Sequence, residues 1–191
     1  MPLSQSRRAR LVEIRDKARE LFSRPDAGAC CSLVELIRWY DGEYGPSIVF
    51  PDAPTLDAHD LVRDLGYILT EKTKWMFDRD EDTDLYLQFG YAGDSCFRSM
   101  YQDGSNQVRH FWAYVMTGYQ YGYLGGGYAA LREFFPPEGS DYLLGIMGVR
   151  LGNEILREKH STSEVADWIS RYICDPECCE ERQSAMAGQG N

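Results

Sequence analysis

Gly145, Gly148 and Gly152 recur at three- and four-residue steps inside a stretch that otherwise reads as helix, and Gly118 and Gly122 do the same upstream. A glycine inside a helix costs roughly 0.5–1 kcal/mol against alanine, so a flat strip of them needs a packing reason. The two strips are expected to face each other and bring helices near residues 106–124 and 140–158 into close approach. That pairing constrains the chain more than any other feature, because it sets a helix-on-helix core.

The rest of the pattern agrees with an all-α single-domain bundle of about seven helices. Leu11, Ile14, Ala18, Leu21 and Phe22 form one apolar stripe that ends before Pro25. Cys31, Val34, Leu36, Ile37 and Tyr40 form a second, with an end expected at Asp41-Gly42. Thr55 is expected to cap a third helix that carries Leu61, Val62, Leu65 and Ile68 inward. Ser105 is expected to cap the helix from 106, and further helices are expected over 128–135 and 162–173. Leu85 and Leu87 alternate as in a short strand, or begin a helix over 83–90. A single domain over 1–174 is expected, followed by a flexible polar tail over 175–191.

The chain carries a formal net charge of −10. Residues 1–25 hold seven bases and three acids, so the acidic excess lies in the remainder. An acidic body disfavours general nucleic-acid binding. Arg7, Arg8, Arg10, Arg15 and Arg19 are expected to form the solvated face of the first helix. No stretch reads as a membrane span, and residues 1–25 show no secretory pattern. Cys30, Cys31, Cys96, Cys174, Cys178 and Cys179 are therefore expected as reduced thiols in a cytoplasmic protein. A tail–body disulfide and a zinc site, with Cys30-Cys31 supplying the second pair, are the alternatives.

The polar residues with most chemical promise lie between 103 and 153. Asn106, Arg109 and His110 share one helical face, and Glu133 and Asp141 are the available carboxylate partners in the same half of the chain. A His held by carboxylates suits a general base or a metal ligand, whereas the commoner outcome is a structural network. His59 and His160 read as surface residues at helix ends. Asp78, Asp80 and Asp82 imitate a calcium loop, but Thr83 and Phe89 stand where Gly and Glu are required. Tyr114, Tyr119, Tyr121, Tyr123 and Tyr128 read as core and interface rather than as pocket walls.

Arg109-His110-Phe111-Trp112, Arg132-Glu133, Ser140-Asp141 and Gly145 resemble a group of uncharacterised bacterial helical domains. Those domains read Arg-His-x-x-Trp, His-Glu and Met-Asp-x-x-Asn-x-x-Gly, and some end toxin-like proteins. Here the aromatic falls one place early, Arg132 replaces the second His, and Gly145 replaces the Asn. The resemblance covers about a quarter of the chain and implies a helical fold more than an activity.

The leading expectation is an acidic helical interaction or scaffold protein, in the manner of inhibitor and immunity proteins. It would have a protein partner or form a homo-oligomer, with a buried His–Arg–carboxylate network serving structure. The alternative is a hydrolase or metal-dependent enzyme built on His110, Glu133, Asp141 and Arg109. No cofactor is expected, and the sequence does not settle a metal.

Overall fold

The computed structural model describes residues 5–24, 27–46, 55–70, 85–87, 96–102, 107–122, 124 and 139–188. Among them are seven α-helices: α1 Gln5–Phe22, α2 Ala29–Tyr44, α3 Ala58–Leu69, α4 Gln107–Tyr121, α5 Gly139–Leu156, α6 Thr162–Tyr172 and α7 Pro176–Gly188. A 3-10 turn, Ser99–Tyr101, precedes α4. The protein is a single-domain all-α bundle, as the apolar periodicity requires. Among the described residues no helix is long and apolar enough to cross a membrane.

Local chemistry sets the helix ends. Asp57, rather than Thr55, caps α3: its carboxylate accepts from His59 N at 2.8 Å and Asp60 N at 3.0 Å. The Asp60 carboxylate returns to the Asp57 N–H and completes a capping box. Ser161 and Glu164 build the same device on α6. Helix α2 runs through Gly42, where nothing lies within reach of an added Cβ, and stops at Gly45. Gly122 ends α4 in the left-handed region at φ +58°. The helix expected over 128–135, the cap at Ser105 and the acidic run with Asp78, Asp80 and Asp82 lie outside the described residues.

The core joins Leu11 and Ile14 of α1, Leu36 and Ile37 of α2, Leu61 and Leu65 of α3, and Phe111 and Trp112 of α4. Trp112 Nε1 donates to the Val62 carbonyl at 3.4 Å and ties α4 to α3. Leu85 and Leu87 are buried on either side of the half-buried Tyr86, in keeping with the expected alternation, and the Leu87 N–H donates to the Ile68 carbonyl at 3.0 Å.

The glycine seam forms between α4 and α5. An added Cβ would run into the Val149 carbonyl from Gly118, and into the Val115 carbonyl from Gly152. At Gly148 it would meet Phe111 O at 2.8 Å, and at Gly145 the Tyr114 ring at 3.1 Å. Along the seam, contacts rise together in both helices, from Tyr114 with Gly145 to Gly122 with Asn153. The two helices therefore run in the same direction.

The C-terminal segment departs from the expected flexible tail. Pro176–Gly188 is helical, and its first turn is tied to the body by two disulfides.

Candidate functional site

Of the expected constellation, Arg109 and His110 lie on α4 and Asp141 on α5. Arg109 and His110 lie on the half-buried side of α4, opposite the flank that carries Phe111, Trp112 and Val115 inward. The Arg109 guanidinium stands 5.7 Å from the Tyr86 ring centroid, a cation–π contact. Asp141 sits in the first turn of α5. Tyr114 meets Gly145, and His110 and Asp141 each stand one turn before those residues. Because the helices run parallel, positions 110 and 141 fall at one level of the seam. Glu133, like Asn106, lies outside the described residues. Of the tyrosines, Tyr119 is buried and Tyr121 is exposed, while Tyr123 and Tyr128 lie outside the described residues.

A buried ionic centre forms at a different place. Asp64 of α3 is only 1% exposed. Its carboxylate accepts from Arg10 Nε at 2.8 Å and Nη2 at 3.4 Å, and from the Tyr40 hydroxyl at 3.1 Å. Arg7 Nε stands 3.5 Å away, and its guanidinium also covers the Tyr67 ring. Burial, reinforced by the Asp64 charge, pushes the Tyr40 hydroxyl pKa far up and keeps it a neutral donor. The expected solvated arginine face is thus only partly so: Arg7 and Arg10 turn inward to neutralise an acid that would otherwise be costly to bury.

His59 and His160 are not surface residues without roles. His59 Nδ1 lies 2.9 Å from the Tyr119 hydroxyl and links α3 to α4. His160 Nε2 lies 2.9 Å from Glu154, which also accepts from Arg150 at 2.9 Å. Burial alone would raise the Glu154 carboxyl pKa. The hydrogen bonds from His160 and Arg150 outweigh it and leave the pKa below its ordinary value.

All six cysteines are disulfide-bonded, which overturns the expectation of reduced thiols. The pairs are Cys30–Cys174, Cys31–Cys179 and Cys96–Cys178, with Cα–Cα distances of 5.5, 5.7 and 5.6 Å. They form one cluster where the first turns of α2 and α7 meet the Cys96 segment. A Cβ at Gly28 would collide with Cys96, so glycine there makes room for the cluster. Cys96 itself holds a left-handed backbone at φ 48°, a strained conformation for a residue with a side chain.

The outer side of α5, opposite the glycines, is apolar and open. Tyr142 is 37% exposed, Leu143 38% and Ile146 47%. Met100, on the 3-10 turn that packs against α5, is also exposed. Comparison with protein-family models, with curated proteins and with solved structures found no match for this chain.

Proposed function

We propose that the chain is an interaction protein whose binding face is the outer side of α5. The observation that carries this reading is the set of Tyr142, Leu143 and Ile146, large apolar side chains left open on successive turns of one helix. The opposite side of the same helix is spent on the glycine seam, so α5 is a rigid platform. The acidic body favours a basic or neutral partner over a nucleic acid. Three disulfides favour work in an oxidising compartment over the cytoplasm.

Site-specific photo-crosslinking in the native host tests the reading. A photoreactive residue at position 146 should give a discrete adduct, and one at Arg171, exposed on α6, should not. No adduct from 146, or equal adducts from both, rejects it.

A second reading, a hydrolase using His110 with Asp141, draws support from the parallel register of α4 and α5. It predicts that Asp141→Asn shifts the NMR titration of the His110 ring. An unmoved titration removes it.

A further inference from the structure

We infer that the cysteine cluster is also a thiolate metal site, closed to metal when oxidised and open to a soft divalent cation such as zinc when its two outer disulfides are reduced. The ligands are Cys31, Cys96, Cys178 and Cys179. The sulfurs of Cys31, Cys96 and Cys179 already lie within 4.8 Å of one another, although they belong to two different disulfides. Cys178 is bonded to Cys96 and so borders the same point. A tetrahedral zinc thiolate with bonds of about 2.3 Å spaces its sulfurs by about 3.8 Å. Once the sulfur–sulfur bonds open, the two bonded pairs move apart toward that spacing, while Cys96 already lies within 4.8 Å of Cys31 and Cys179 across them.

Three features support the site. The first is access: Cys30 and Cys174 are 0% and 2% exposed, whereas Cys31, Cys178 and Cys179 are half-buried. A reductant reaches the outer pairs first and leaves Cys30–Cys174 as a staple. The second is position. Cys31 lies in the first turn of α2, and Cys178 and Cys179 lie in the first turn of α7. Helix N-termini stabilise thiolates, the form that binds metal. The third is a scaffold that does not depend on the outer sulfur bonds. The Asp175 N–H donates to the Cys96 carbonyl at 2.9 Å, and the Arg98 N–H to the Ile173 carbonyl at 3.0 Å. Phe97 bridges Cys174, and Arg98 Nε donates to the Cys174 carbonyl at 3.2 Å. These bonds hold the Cys96 segment beside the start of α7.

The chemistry balances. Two dithiol molecules reduce the two outer disulfides, supplying two electrons to each, and leave as two disulfides. The four cysteine thiols then bind one divalent zinc ion and release four protons. In reverse, two small-molecule disulfides accept four electrons, four protons are taken up, and zinc departs as two protein disulfides and four small thiols form.

The test uses the full chain reduced by a phosphine under anaerobic conditions, with alkylation and mass measurement confirming that Cys30–Cys174 survives. Cobalt(II) is added as the probe, followed by zinc. One metal per chain should persist through gel filtration. Cobalt should show the intense visible bands of a tetrahedral thiolate site, and zinc should abolish them. Cys31→Ser/Cys179→Ser, which keeps the buried staple, should lose the metal. Cys30→Ser/Cys174→Ser should retain it. The inference is overturned if the reduced wild type keeps no metal. It is equally overturned if the reduced chain loses its helical circular dichroism, or if Cys31→Ser/Cys179→Ser binds as well as wild type.

Discussion

The glycine seam between α4 and α5 and the cysteine cluster between α2 and α7 both bring helices close, by opposite means. The seam works by removing side chains until backbones touch, and every one of its contacts is noncovalent. The cluster works by covalent bonds between segments that lie 82 to 148 residues apart in the chain. The seam is therefore indifferent to redox conditions and intolerant of added volume. The cluster tolerates its surroundings but depends on the redox potential. One region fixes shape, and the other fixes how far the chain can open.

The largest effect should come from full reduction. Closing a loop of more than a hundred residues restricts the unfolded chain by roughly 4–5 kcal/mol in the chain-entropy account. The second and third disulfides join segments already held together, so each adds less. Reduction of all three should lower stability by about 5 kcal/mol or more in denaturant titrations. Cys31→Ser/Cys179→Ser, which keeps the buried pair, should lose only a small part of that.

Next come the seam and the ionic centre. Gly152→Ala drives a methyl into the Val115 backbone and should cost about 3 kcal/mol. The cost should be similar in oxidised and reduced protein, because the two regions do not share partners. A cost that vanished on reduction would break the comparison. Asp64→Ala leaves Arg10 and Tyr40 without their acceptor and should cost about 2–4 kcal/mol, less than for a fully sealed pair because Arg10 keeps some exposure. Asp64→Asn should recover only part of it.

The smallest effect is at Glu154. Its folded carboxyl titrates below the ordinary value near 4.5, so it contributes stability above that pH and loses it as the pH falls through the lowered value. Glu154→Gln should cost about 0.5–1 kcal/mol at neutral pH, the modest worth of a partly exposed pair. The difference from wild type should shrink as the pH falls below about 4.5 in thermal melts.

The seam was legible in the sequence because a helix converts glycine spacing directly into a flat strip. The ionic centre also carries a signal in the sequence. Asp64 lies three residues after Leu61 and four before Ile68, inside the apolar stripe of α3, with no base at a neighbouring turn of its own helix. Its counter-charge had to come from another helix, and α1 is rich in arginine. The His59–Tyr119 contact had no such local signal, since the partners sit on different helices 60 residues apart. The cysteine pairing was hidden for a related reason: six cysteines allow about 15 connectivities, and adjacent residues at Cys30-Cys31 and Cys178-Cys179 make spacing silent about which is used. The folded positions of the sulfurs, which spacing along the chain does not give, decide the chemistry.

The arrangement on which the fold of the C-terminal part rests is the covalent tie of α7 and the Cys96 segment to α2 at one cluster. It is tested most directly by thiol counting and cross-linked peptide mapping of the unreduced protein, with fragmentation that resolves the adjacent cysteines. The unreduced protein should show no alkylatable thiol and the pairs Cys30–Cys174, Cys31–Cys179 and Cys96–Cys178. Six alkylated thiols in the freshly isolated protein, or pairs that leave α7 unattached to the body, would contradict it.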